Sequence, residues 1–175
     1  MSAKKGIWVL VGVVVLSVWV FGSAMQAGAE TRNLKYYTWT INRLSTPIAD
    51  VEGHTIGLTV TGILYAFEDG EVASGTAYGM GDLIKNAGPF SQYININFTD
   101  GSTIIVKGQG TIGSTATGTS FGKAGMKNEF IKGTGRFEGI RGTVTAKMKY
   151  LPLEKGEAGP RGYGEATWTY TLPSK

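Results

Sequence analysis

Two carboxylates and the only imidazole of the chain stand close together at Asp50, Glu52 and His54. Such side chains can contribute to a metal site, and an imidazole beside a carboxylate can act as a general base near neutral pH. No second group of candidate ligands accompanies them elsewhere in the sequence. The sequence therefore favours a surface histidine that precedes a strand, and it predicts no metal site.

The glycine-rich stretch from Gly133 to Lys147 is the candidate for a phosphate-binding loop. A dinucleotide fingerprint requires the spacing G-x-G-x-x-G between a strand and a helix. Here Gly133, Gly135 and Gly139 are one residue too widely spaced, and a strand-like alternation follows them. The Gly-Lys-Ser/Thr of a P-loop is absent. The stretch predicts a turn followed by a bulged barrel strand, in which glycine permits tight bends.

Composition excludes several classes of function. The chain has no cysteine, which excludes disulfides, thiolate metal sites and a cysteine nucleophile. With one histidine there is no multi-histidine metal site, and a Ser-His-Asp triad would have to use His54. The formal net charge is +4, but the basic residues are scattered, so we predict no nucleic-acid partner. No motif for an organic cofactor is present.

The N-terminus has the layout of a secretory signal peptide. A short positive head precedes an apolar run at Ile7–Phe21, and small residues end in the A-x-A pattern of Ala27-Gly28-Ala29. The alternative is an uncleaved membrane anchor, since the run with its flanks approaches the length of a spanning helix. The cleavage pattern favours removal. We predict a signal peptide at residues 1–29, one domain at 30–175, and an exported protein, periplasmic or secreted, that is not held at a membrane after cleavage.

Short alternating or β-branched runs, separated by turn residues, predict eight strands in this domain. The predicted strands are Leu34–Asn42, Ile56–Phe67, Glu71–Tyr78, Gln92–Thr99, Thr103–Ile112, Asn128–Ile131, Thr143–Leu151 and Tyr163–Leu172. Asp69-Gly70 and Asp100-Gly101 predict hairpin turns. The clean alternation in three of the strands is typical of antiparallel sheets with one buried face, so we predict an all-β barrel or sandwich. The small polar residues of Gly113–Gly125 predict a loop or a short edge strand.

Aromatic side chains are numerous enough to fill a core or to line a cavity. Those in question are Tyr36, Tyr37, Trp39, Tyr65, Phe67, Phe98, Phe137, Trp168 and Tyr170. An eight-stranded barrel is just wide enough either to be filled by side chains or to hold one small ligand. Periodicity alone leaves both alternatives open.

Two segments carry a family resemblance. They read FSQYININFTDGSTIIVKGQGTI from Phe90 and FIKGTGRFEGIRGTVTAKMKY from Phe130. Together they resemble the C-terminal half of the allene oxide cyclase barrel, with dirigent proteins as more distant relatives. The family element Gly-x-Gly-x-Phe-x-Gly-x-x-Gly is matched in order by Gly133, Gly135, Phe137, Gly139 and Gly142. The resemblance implies an eight-stranded antiparallel barrel with an apolar cavity, a homo-oligomer (a trimer), and no cofactor.

The same resemblance implies site residues on the first strand. In TINRLSTP, Asn42 and Pro47 match the family's asparagine and proline, whereas Thr40 stands where the cyclases have a glutamate. A threonine cannot supply the negative charge that would stabilise a developing cation, so authentic allene oxide cyclase activity is not expected. The predicted ligand-binding residues are Thr40, Asn42, Pro47 and Phe98, and the catalytic residues are left open.

Three functions are compatible with this sequence. The first is an exported barrel that binds an apolar small molecule, with Thr40 and Asn42 on one strand face as polar anchors. The second is a cofactor-independent cyclase or isomerase, or a stereo-directing protein of the dirigent kind, that works by the shape of its cavity. The third is a packed structural barrel without a ligand. The binding function is favoured because no residue set provides convincing acid–base chemistry.

Overall fold

The computed structural model describes residues 28–115, 118–120 and 127–174. The predicted signal peptide lies outside the described residues except for Gly28 and Ala29. The strands are β1 Glu30–Pro47, β2 His54–Phe67, β3 Val72–Ile84, β4 Gly88–Phe98, β5 Thr103–Thr115, β6 Gly118–Ser120, β7 Lys127–Gly133, β8 Arg141–Tyr150 and β9 Gly162–Thr171. No helix in these three ranges is long and apolar enough to cross a membrane.

Eight of the strands form a closed antiparallel barrel, as the sequence predicts. The order around it is β4-β3-β2-β1-β9-β8-β7-β5, and β4 also pairs with β5, which closes the sheet on itself. The short β6 pairs only with the end of β5. It lies within the predicted loop or edge strand at Gly113–Gly125, of which residues 116–117 and 121–125 are outside the described part of the chain.

The predicted hairpin turns are confirmed at the closed end of the barrel. Gly70 joins β2 to β3 with a φ of 87°, and Gly101 joins β4 to β5 with a φ of 82°. Their amides donate to the carbonyls of Phe67 and Phe98, at 3.0 Å and 3.1 Å. Glycine adopts this left-handed conformation without a steric penalty, so both turns are tight.

The stretch from Gly133 to Lys147 forms the predicted turn and strand, but the strand pairs with both neighbours without a register shift, so the predicted bulge is wrong. A single turn of 3₁₀ helix at Gly135–Phe137 leads into β8. Its Phe137 and the following Ile140 are fully buried, so the turn closes this end of the barrel with apolar side chains. Gly135 has a φ of 61°, and a Cβ there would lie only 2.5 Å from the Ser102 hydroxyl.

We call the region around Trp168 the packed half of the barrel. The Trp168 ring is 1% exposed and meets Phe67, Phe130 and Tyr65 edge-on, with centroid separations of 5.0, 5.2 and 6.0 Å. Edge-to-face pairs of this kind add to the free energy gained by burial. The alternation in β4, β8 and β9 predicts inward faces that include Ile96 and Phe98, Val144 and Ala146, and Trp168 and Tyr170, and all of these pack in or against the core.

Charged groups cover the closed end of the packed half, where the two hairpin turns lie. The guanidinium of Arg32 lies 4.1 Å from the centroid of the Phe67 ring and pairs with Asp69 and Glu71, at 2.5 and 2.9 Å. Arg136 lies over Phe98 at 4.8 Å and also pairs with Glu71. Each arginine therefore combines a cation–π contact with an ion pair, which fastens the hairpin ends to the core.

Candidate functional site

The side chains that face into the barrel become larger from one end to the other. From the start of β2 to its end, they are Thr55, Gly57, Thr59, Thr61, Ile63, Tyr65 and Phe67. Along β9 they are Gly162, Gly164, Ala166, Trp168 and Tyr170. Because glycine and threonine fill less of the barrel than aromatic rings do, a cavity of about 510 Å³ remains at the small end, which we call the open half.

The lining of this cavity is apolar surface interrupted by neutral polar groups. Hydroxyls come from threonine, serine and tyrosine, and amides come from asparagine and glutamine. Among the described lining residues there is no aspartate, glutamate, histidine or lysine, and Arg43 alone carries a charge. The cavity thus offers hydrogen bonds and shape, but no carboxylate or imidazole that could act as a general base.

Tyr36 contributes a hydroxyl to the cavity wall. The hydroxyl donates to the carbonyl of Lys147 at 3.2 Å, and burial raises the pKa of Tyr36 to about 12. Its ring lies against β9 because Gly164 has no side chain; a Cβ at that position would lie 2.7 Å from the ring. Tyr36 therefore remains a neutral hydrogen-bonding group at physiological pH.

A β-bulge in β1 changes which side chains reach the cavity. Thr40 pairs with Thr61, whereas Asn42 pairs with Val60, so Ile41 is an extra residue in β1. A bulge re-aims the side chains that follow it. Thr40 lines the cavity before the bulge, and Arg43 lines it after the bulge.

One wall of the mouth is built by the segment between β8 and β9. Pro160 in this segment lines the cavity, and its carbonyl accepts a hydrogen bond from the Thr40 hydroxyl at 2.7 Å. Arg161 braces the segment through ion pairs with Glu154 and Glu157, the latter at 3.0 Å. The Thr40 hydroxyl thus joins β1 to this wall where β9 no longer pairs with β1.

Two amide side chains meet deeper in the cavity. Gln92 of β4 and Asn128 of β7 both lie over Gly108, where a Cβ would be 3.0 Å from Gln92 Nε2 and 2.5 Å from Asn128 Oδ1. The Oδ1 atom is buried and accepts no hydrogen bond within the described part of the chain. Such an acceptor is costly to bury unless a partner reaches it, so it is a natural place for a ligand donor.

The predicted site residues lie in different places. Thr40 is in the cavity wall, as expected of an anchor. Asn42 and Pro47 are exposed and do not line the cavity, because the bulge separates Asn42 from the face that Thr40 occupies. Phe98 is 5% exposed and packs on Phe137 in the packed half. The ligand-binding roles of these residues stay predictions.

Sequence reasoning did not identify Gln92, Asn128 or Arg43 as cavity residues. The alternation of β4 carries a signal for Gln92, which shares a face with Ile94 and Ile96. No comparable signal marks Arg43, because it faces inward only as a result of the bulge.

His54 begins β2 and contacts two carboxylates at the rim of the open half. Its Nδ1 lies 2.5 Å from Asp50 and its Nε2 lies 2.7 Å from Asp82. The hydrogen bond to Asp50, followed by the one to Asp82, raises the pKa of His54, while the hydrogen bond from His54 lowers the pKa of Asp50. His54 is not a lining residue, and the described residues contain no group suited to a metal ion.

Comparison with known proteins identifies the fold. No family model and no curated protein sequence matches the chain. The pterocarpan synthase dirigent protein GePTS1 is similar in structure, with a TM-score of 0.50 and 10% identity, over 85% of this chain and 93% of that one. The pterocarpan synthase dirigent protein PsPTS1 gives a TM-score of 0.49 at 14% identity, over 85% of this chain and 97% of that one. A Shewanella oneidensis MR-1 protein of unknown function from the DUF3224 family gives a TM-score of 0.46 at 14% identity, over 85% of this chain and 100% of that one.

At 10% identity the likeness to GePTS1 concerns the fold alone. The chain is a dirigent-like barrel of eight antiparallel strands. The finer resemblance to allene oxide cyclase is not specifically supported by these structures.

Proposed function

We propose that the protein binds an apolar small molecule in the open half of its barrel. The observation that carries the proposal is the cavity of about 510 Å³, which lies within the range of ordinary small-molecule sites. Its wall combines apolar side chains such as Ile63 and Met148 with a few neutral hydrogen-bonding groups, which is the usual composition of such sites. A structural barrel would have no reason to keep glycine and threonine where aromatic residues could fill the interior.

The buried acceptor of Asn128 supports the same proposal. A ligand hydroxyl or amine that donates to Asn128 Oδ1 would satisfy an atom that is otherwise buried without a hydrogen bond among the described residues. Tyr36 and Gln92 offer further neutral contacts in the same wall. A ligand with an apolar body and one or two hydrogen-bonding groups therefore fits this site best.

The test uses N-phenyl-1-naphthylamine, a neutral fluorescent probe of apolar cavities. The purified protein should enhance its fluorescence saturably, with a Kd on the order of micromolar. Thr61→Phe places a ring inside the cavity and should weaken binding at least about tenfold. The matched control is Thr145→Phe, which adds the same ring on the exposed outer face of β8.

An equal loss of probe affinity in both variants, or no saturable probe binding by the wild type, would refute the proposal. Independently of the probe, native mass spectrometry of protein purified from its own source would identify any molecule that it retains.

A second candidate is stereochemical guidance of a reaction, in the manner of dirigent proteins. Likeness to the fold of a dirigent protein favours it, and so does a cavity without a carboxylate or an imidazole in its described lining. A cavity of this kind would act by holding a reactive intermediate in one conformation, because proximity and orientation need no charged catalyst.

This candidate predicts an enantiomeric excess in the coupling of phenoxy radicals that an oxidant generates in solution. Chiral chromatography of the products, with and without the protein, measures the excess. Thr61→Phe should abolish it, whereas a racemic product with the wild type would limit the function to binding.

A further inference from the structure

We propose that the ligand carries a carboxylate group that is bound by Arg43 at the mouth of the cavity. This inference rests on the proposed binding function and adds the chemical class of the ligand, an apolar molecule with a single acidic group. Arg43 lines the cavity and makes no hydrogen bond or ion pair with the described residues. Its guanidinium has five donors in a planar fork that matches a carboxylate.

The charge balance of the open half points to an anion. No carboxylate lines the cavity in the described part of the protein, so nothing there neutralises Arg43. The two acidic groups of the rim, Asp50 and Asp82, both contact His54. A ligand anion would therefore meet an unpaired cation.

Neutral donors surround the same position. Thr59 lies directly opposite Arg43 on β2, and Gly57 lies opposite Ser45. Directly opposed residues have Cβ atoms about 5 Å apart, so the hydroxyl of Thr59 is within reach of a group bound at Arg43. Ser45 lines the same wall two residues further along β1. Both hydroxyls line the cavity and have no hydrogen-bond partner among the described residues. Gly57, opposite Ser45, adds no side chain to this part of the wall.

The test compares two ligands of nearly the same shape, 2-naphthoate and the neutral 2-naphthamide. Each displaces N-phenyl-1-naphthylamine from the wild type and from Arg43→Gln. The wild type should bind the carboxylate about five- to tenfold more tightly than the amide. A guanidinium–carboxylate pair is charge-assisted, and solvent at the mouth of the cavity weakens it without abolishing it. Arg43→Gln should remove the preference, so that the carboxylate and the amide displace the probe with equal affinity.

Two variants control for general effects. Lys149→Gln removes the same charge from the exposed outer face of β8 and should keep the preference. Arg43→Lys should keep part of it, and raised salt should reduce it in the wild type. Failure of the neutral probe to bind at all would refute the proposed function itself. Normal probe binding with no preference for 2-naphthoate, or with a preference that persists in Arg43→Gln, would refute the role of Arg43 alone.

Discussion

The same strands build a packed half and an open half, and the two halves differ in what their inward positions contain. In the packed half Trp168 is 1% exposed and four aromatic rings lie within 6.4 Å of its centroid. In the open half glycine and threonine take many of the inward positions, most of all along β2, and a cavity of about 510 Å³ remains. The groups that stabilise the barrel and the cavity of the proposed function are thus separated along the barrel axis.

The two halves also differ in how their ends are held. Arginines that stack on core rings and pair with acidic turn residues cover the closed end. At the open end the imidazole of His54 holds Asp50 and Asp82 together, and Arg43 has no described partner. Ion pairs therefore hold both ends of the barrel, and the open half differs in that one cation of its cavity wall, Arg43, has no ion-pair partner among the described residues.

The largest effect is expected from truncation in the packed half. Trp168→Ala should lower the free energy of unfolding by about 3–5 kcal/mol, because a large buried ring is lost and a void remains. Thr61→Ala in the open half should change it by less than about 1 kcal/mol, since the side chain borders a cavity. Urea unfolding of both variants measures the difference. Similar losses in the two variants would mean that the open half contributes as much to stability as the packed half.

A smaller effect is expected when the core is overfilled. Ala73 lies between Tyr65 and Phe98 in register, so Ala73→Leu should cost about 1–3 kcal/mol of unfolding free energy. Ala77 is four residues along the same strand and borders the cavity, so Ala77→Leu should cost less than about 1 kcal/mol and should weaken probe binding. Thermal unfolding and probe titration of the two variants check this pair. An equal cost at both positions would show that the cavity closes in solution.

The smallest effect concerns the rim at His54. Because its pKa is raised by Asp50 and then by Asp82, its contribution to stability is complete below the ordinary histidine value of about 6.5. That contribution is lost as the pH rises through the raised pKa of the folded state. The lowered pKa of Asp50 has the opposite consequence, a contribution that is lost as the pH falls through it.

An NMR titration of the imidazole should give a midpoint above 6.5, and Asp50→Asn should lower that midpoint. A midpoint at or below 6.5 in the wild type would contradict the contacts at the rim.

Much of the architecture could be predicted because it depends on local chemistry. Alternation sets the inward faces, and Asp-Gly pairs at Gly70 and Gly101 set the hairpins, so the predicted strands correspond to all eight strands of the barrel. The size gradient along β2 was also present in the sequence, but alternation alone gives the face of a residue and not its depth in the barrel. A filled barrel and a cavity therefore remained equal alternatives.

The candidate site was less predictable because it depends on tertiary detail. One extra residue, Ile41, exchanges the faces of everything after it in β1, which turns Arg43 inward and Asn42 outward. No local propensity marks that position. The contact between Pro160 and Thr40 likewise depends on how the segment between β8 and β9 packs on β1, which is far away in the sequence. The predicted export and homo-oligomer stay predictions.

Methyl NMR with N-phenyl-1-naphthylamine tests most directly whether the open half is the binding site. Ile112 and Met148 line the cavity, Ile104 and Ile140 are buried in the packed half, and Leu58 is exposed on the outer surface. Addition of the probe should shift the methyl signals of Ile112 and Met148 saturably and leave those of Ile104, Ile140 and Leu58 unchanged. Shifts confined to Leu58, or no saturable shift at the cavity methyls, would contradict a binding function for the open half.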